Sequence, residues 1–247
     1  MVSHFLGRLA GGVQAFRLLS AFALVVMTAA CAQTQSAGPE VTIDKPADGL
    51  AVLLMPADVE LSLLTTSGLQ EPNAEWTAQG RQNVIAALQE EMAERSIKIV
   101  PYGDDSDART QIASEHEQLV KLHETVGSTI LLHTYLPGHA LPTKKDRFDW
   151  TLGEGVQSQR DRRGAHYALF VHAEDSFSSE GRVALKFALA LLGAHIEGGR
   201  QVAFASLVDL HSGAVVWFNV LQSGVGDLRD PKLARQTIDQ LLDSSPL

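Results

Sequence analysis

The segment that most limits what this chain can fold into is a pair of apolar runs near its end. Gln201 to Leu210 (QVAFASLVDL) and Ala214 to Leu221 (AVVWFNVL) are separated by His211-Ser212-Gly213. A loop this short, ending in glycine, suits a β-hairpin, because glycine accepts the positive φ such a turn requires. A strand with one wet face alternates apolar and polar residues. Here Val202, Phe204 and Val208 fall on one face, and Ala203, Ala205 and Leu207 on the other. Strands apolar on both faces belong inside a sheet covered on both sides.

The rest of the chain supplies that cover. Leu50 to Met55 (LAVLLM), ended by Pro56, reads as a buried strand. Ile97 to Tyr102 and Ala165 to Ala173 (AHYALFVHA) read as two more. Trp76, Val84, Leu88 and Met92 keep a spacing close to 3.6 and predict a helix over 75–94. Asp104-Asp105-Ser106-Asp107 can cap a second helix from about Ala108 to at least Val126, with Ile112, Leu119, Leu122 and Val126 on one face. Residues 129–135 read as helix or strand, and the spacing of Ile130 and His133 favours helix. A last helix spans Pro231 to Leu242, with Leu233, Ile238 and Leu241 facing inward. The expected fold is α/β: a mixed β-sheet of about five strands covered by helices, with a C-terminal β-hairpin followed by a helix. Two inserts interrupt it, near 137–164 and 176–200.

Ahead of this domain the chain has a different character. Residues 1–30 contain no acid, carry Arg8 and Arg17, and end in the apolar run Leu18 to Ala30. A basic start, an apolar stretch of roughly 7–15 residues and a small-residue end describe a secretory signal. That run is shorter than the roughly 20 apolar residues that span a bilayer. Met27-Thr28-Ala29-Ala30-Cys31 resembles the bacterial lipobox, with Thr28 standing where leucine is usual. The resemblance implies cleavage before Cys31 and acylation, palmitate included, of that cysteine. Cys31 is the only cysteine, so it has no partner for an intramolecular disulfide. Losing residues 1–30 removes two cations and shifts the net charge from −9 to −11. An acidic body suits neither nucleic acid nor anionic headgroups. Residues 31–49, polar and rich in Pro, Gly and Ser, read as a flexible tether to a single domain over 50–247.

The strand Ala165 to Val171 (AHYALFV) and the hairpin Leu207 to Trp217 (LVDLHSGAVVW) resemble the domain shared by the TolB N-terminal module and CsgG-type envelope lipoproteins. The matching positions are Asp209, Gly213 and Trp217, and His166 stands where that pattern has Asp. In this likeness Asp209 caps the turn and Trp217 fills the core. It implies a non-enzymatic, lipid-anchored envelope protein that binds other envelope components, on the periplasmic side. Ala32, rather than aspartate, after the cysteine points to the outer membrane.

Residues able to carry chemistry are scattered. His116-Glu117 and His123 miss the metalloprotease spacing: the histidines stand seven apart, about 10.5 Å along a helix, too far to share one ion. They read as partly exposed. His133 and His139 flank Tyr135, while His166 and His172, six apart on a strand, share a face and could both point outward. Ser212 sits in a turn without a Gly-x-Ser-x-Gly elbow, and Gly153-Glu154-Gly155 lacks a phosphate-loop lysine. No cofactor or metal is implied. The residues proposed for partner or membrane contact are Lys144, Lys145, Arg147, Trp150, Arg162 and Arg163, with Arg160 nearby, a basic group in an acidic chain. Val183 to Leu192 is too short to cross a membrane, and is either a core-covering helix or an exposed apolar surface. The first reading is a binding or assembly module. An envelope hydrolase and a small-ligand carrier are the alternatives, and a deep pocket lined by two or more of His133, His139, His166 and His172 would favour the enzyme.

Overall fold

The computed structural model describes residues 33–37, 43, 49–101, 111–144 and 147–247, with backbone only at 33, 35–37, 101 and 111–116. The fold is α/β with a mixed sheet, as expected. The five expected strands are β2 (Ala51–Leu54), β5 (Lys98–Pro101), β6 (Tyr167–Ser178), β7 (Gln201–Asp209) and β8 (Val215–Ser223). Three more join them: β1 (Gln33–Ala37), β3 (Asp58–Leu64) and β4 (Gln70–Pro72). The strand order is β1-β8-β7-β6-β2-β5, with β3 on β6 and β4 on β3.

The twelve-residue β6 is the axis of the sheet. β2 and β3 lie in parallel along the same edge of it, with Leu54 opposite Leu169 and Asp58 opposite His172. They are one run broken by Met55-Pro56-Ala57, because Pro56 has no N–H to give a ladder. β7 runs antiparallel on the other edge, so Asp175, Gln201 and Ser223 form one row near the end of the sheet. β1 pairs antiparallel with β8, Gln33 opposite Gln222 and Ala37 opposite Phe218. Gln33–Ala37, read above as part of a tether, is thus an edge strand; its polar side chains hide a strand held by backbone bonds.

Both faces of the sheet are covered. On one lie α1 (Ala74–Glu94) and α5 (Pro231–Leu242), whose Val84, Leu88, Met92, Ile238 and Leu241 meet Leu61, Leu169, Ala205 and Leu207. Asn73 accepts the Trp76 N–H at 3.0 Å to start α1, and Asp230 does the same for Leu233 ahead of Pro231. On the other face lies α2 (Gln111–Ile130), extended by one π-helical turn over Leu131–Tyr135, so residues 129–135 are helical. His123, not Leu122, takes the inward position between Leu119 and Val126. Within the 137–164 insert a short helix α3 (Gln157–Arg163) forms. The insert docks on the hairpin turn, Leu152 N–H donating to Gly213 O at 2.9 Å. The 176–200 insert begins three residues later than read above, at Ser179, since β6 runs on to Ser178, and it holds α4 (Glu180–Leu191).

Candidate functional site

The two ends of the sheet differ. At one end β6 delivers α4, capped by Ser179, whose hydroxyl accepts the Arg182 N–H at 3.3 Å. Arg182 holds the helix to the body through the carbonyls of Glu197, at 2.8 Å and 3.0 Å, and Thr65, at 3.3 Å. The returning chain is fixed at Gly199, where a Cβ would sit 1.9 Å from the Ser176 carbonyl oxygen. Leu185 and Leu189 are half-buried, but the other apolar face of the helix is not covered by the fold. Val183, Phe187 and Leu191 recur every four residues on one face, and Phe187, Leu191 and Leu192 are 71%, 88% and 82% exposed. Burial as a core-covering helix, the first alternative for 183–192, is therefore replaced by the second: no residue of α4 is buried. Its spacing is that of a core helix, and sequence does not reveal that the sheet's faces are already occupied. Between α4 and His195-Ile196 lies an apolar cleft of about 320 Å³. Leu69 and Val225, on the β3–β4 and β8–α5 connections, are exposed at this same end. The start of β1 lies at this end too, since Gln33 stands beside Gln222. Cys31 lies two positions before Gln33, outside the described residues.

The opposite end carries the hairpin turn and the 137–164 insert. Asp209 does cap this turn, accepting from His211 N–H and Ser212 Oγ at 2.7 Å each, and Gly213 has φ +74°. Trp217 is buried in the core. Lys144 Nζ lies 4.3 Å from the centroid of the Trp150 ring and 2.7 Å from Asp149 Oδ1, with Arg147 3.9 Å from Asp149. The Lys144 hydrogen bond holds the Asp149 carboxyl below its ordinary range. Trp150 is half-buried, its body against the second core. Arg162 and Arg163 sit apart in sequence on α3, where Arg162 Nη2 donates to Ser158 Oγ at 2.9 Å. Arg160 bonds His211 Nδ1 at 2.8 Å, and Lys145 lies outside the described residues. The structure thus joins Lys144 and Arg147 through Asp149, and Trp150 to them through Lys144.

The histidines do not gather. His133 Nδ1 is 2.6 Å from the His139 carbonyl oxygen, an exposed local contact. His166 is exposed and His172 buried, so they do not point outward together. His123 is buried rather than half-exposed, and its Nε2 is 2.7 Å from Ser206 Oγ; the side chain of His116 lies outside the described residues. Burial, aided by the charge on His172, pushes His123 down to about 3, so it is neutral. His172 behaves oppositely. Burial disfavours its charge, but hydrogen bonds to Asp58 (3.3 Å) and Glu174 (3.4 Å) outweigh that and push it up to about 9. The His172 bond, against burial, takes Asp58 down to about 2. The carboxylate thus orients His172, while the serine belongs to His123. Both rings stack on phenylalanines, His123 on Phe170 at 4.6 Å and His172 on Phe204 at 4.7 Å. Ser206 is 1% and His123 2% exposed, so this pair is sealed from substrate. Among the described residues, no three His, Cys, Asp or Glu are placed to hold a metal, and no helix is long and apolar enough to cross a membrane. Sequence reading missed Ser206–His123 and buried Asp175; neither lies in a motif, and only the β6–β7 register brings Asp175 to Gln201.

No family model matches the chain, and no curated protein matches it. Among solved structures it is similar to the PelC dodecamer from Paraburkholderia phytofirmans, at 13% identity and TM-score 0.38, over 87% of this chain and 96% of that one. A point variant of that dodecamer aligns at 13% identity and TM-score 0.37, over 88% and 98% of the two chains.

Proposed function

We propose that this chain is a lipid-anchored envelope protein, acylated at Cys31 and facing the periplasm from the outer membrane, that works as a non-enzymatic binding or assembly module. The observation that carries this reading is the polarity of the molecule. Cys31 is two residues from an edge strand, so the attachment point of its lipid can lie no more than about 7 Å from the Gln33 end of the sheet. The Lys144–Trp150 surface stands at the other end, beside the hairpin turn, turned toward whatever the module binds. A half-buried tryptophan with a cation over its ring is a rigid, amphipathic contact of the kind interfaces favour. The likeness of β6 and the hairpin to the TolB N-terminal and CsgG-type domain belongs to the same reading. The sealing of Ser206–His123 supports a non-enzymatic role.

The test is fractionation with crosslinking. The mature wild-type protein is expected in the membrane fraction with acyl chains on Cys31, and Cys31→Ala in the soluble periplasm. A photo-crosslinker in place of Arg147 is expected to trap an envelope protein, and Trp150→Ala to abolish the adduct. Unchanged membrane partition of Cys31→Ala refutes the anchor; absence of any adduct at this end refutes the binding surface.

A further inference from the structure

We propose that the apolar face of α4, with Val183, Phe187, Leu191 and the adjoining Leu192, lies in the interface of the bilayer that holds the acyl chains of Cys31. This rests on the lipid-anchor reading above, and it names the surface that the anchored body lays on the membrane. Four observations converge. Val183, Phe187 and Leu191 on one face of α4, with Leu192 beside them, are uncovered, although both faces of the sheet already have their helices. Leu69 and Val225, on separate connections, are exposed at the same end. The chain that leads to Cys31 also ends there: Gln33 pairs with Gln222, one residue from Ser223, which lies opposite the Gln201 that ends the insert bearing α4. Two residues reach at most about 7 Å, so acyl chains on Cys31 would bring the bilayer to this end and no other. The form of α4 suits that surface. Twelve residues make a helix about 18 Å long, too short to span a bilayer but able to lie in its plane. Arg182 ties its N-terminal turn to the body through the Thr65 carbonyl, leaving its apolar C-terminal half outermost. Lys186, on the rim of the apolar cleft, has the reach to lift its ammonium toward headgroups while its stem stays with Phe187.

The test places a fluorescent nitrobenzoxadiazole probe at Leu191→Cys, and separately at Ser212→Cys in the hairpin turn, in the full acylated protein, where Cys31 is blocked by its thioether. Both proteins are reconstituted into phosphatidylethanolamine–phosphatidylglycerol vesicles containing a nitroxide lipid labelled near the glycerol. Mass spectrometry of the N-terminal fragment reads the acylation independently. The expected result is blue-shifted emission at 191 and quenching about threefold or more stronger than at 212, as for a probe in the acyl boundary rather than water. An acylated protein quenched equally at both positions overturns the role of α4 and leaves the anchor standing. Blue-shifted emission without lipid quenching overturns it too, because a second protein surface then covers the helix. A fragment without acyl chains overturns the anchor reading itself, and this inference with it.

Discussion

Asp175 is a buried carboxyl whose ionisation opposes folding. Its side chain lies under the β8–α5 connection, 3% exposed, with Oδ2 accepting from Leu228 N–H at 3.1 Å and Gln201 Nε2 at 3.2 Å. Burial outweighs those two donors and pushes it up to about 7, from an ordinary 3.8. The folded state therefore holds the proton more tightly than the unfolded chain, and stability falls as pH rises through the window from 3.8 to about 7. That interval is worth at most about 4 kcal/mol, at roughly 1.4 kcal/mol per pH unit. Asp175→Asn keeps an oxygen for both donors and carries no charge. Urea unfolding of wild type and Asp175→Asn, followed by circular dichroism, isolates the contribution of this one group. Near pH 4 the two proteins should differ by less than about 1 kcal/mol, and near pH 8 the variant should be the more stable by about 2–4 kcal/mol. A difference that stays constant across the window within about 0.5 kcal/mol refutes the reasoning; so does a variant less stable at pH 8.

Other perturbations address the opposite face. Gly127→Ala puts a Cβ 2.2 Å from Phe204 Cε2, so overpacking should cost about 1–3 kcal/mol and lower Tm by several degrees despite alanine's better helix propensity; a raised Tm would show that α2 does not approach Phe204 so closely. His172 is raised to about 9 by Asp58 and Glu174, so its contribution is complete below 6.5 and disappears as pH rises through 9. His172→Gln should then be less stable than wild type by up to about 3 kcal/mol at pH 6, and the gap should close toward pH 10 in thermal melts. Gly213→Ala should destabilise the hairpin by about 1–3 kcal/mol, since φ is +74° and the Gly153 carbonyl oxygen lies 2.2 Å from the added methyl; unfolding by urea at unchanged midpoint would contradict that.

Where the fold was readable in the sequence, hydrophobic period and turn chemistry agreed. The hairpin was clear because Gly213 separates two runs that are apolar on both faces, and α5 because Leu233, Ile238 and Leu241 keep a helical spacing after Pro231. β3 escaped because Asp58 to Leu64 follows Pro56 so closely that the two strands read as one short run and a loop. β1 escaped because its residues are polar and its pairing is all backbone. Leu122 and His123 exchanged roles, since periodicity ranks leucine inward and cannot foresee Phe170 offering a ring to stack on. Of the site, Trp150 and Lys144 were visible as residue types, but Asp149, which ties Lys144 and Arg147 together, was not. The apolar content of α4 was equally plain; its exposure depends on which helices reach the sheet first, and that is a property of the whole chain.

The direction of β1 has a mechanical consequence. β1 enters the sheet at the Gln222 end and runs inward to Phe218. A pull transmitted through the chain ahead of Gln33 acts along the strand, against β8, and loads all five residue pairs at once. The same strand entered from its other end would be peeled open one pair at a time. Traction on the chain ahead of Gln33 is thus borne in shear, the geometry in which a short β ladder resists longest.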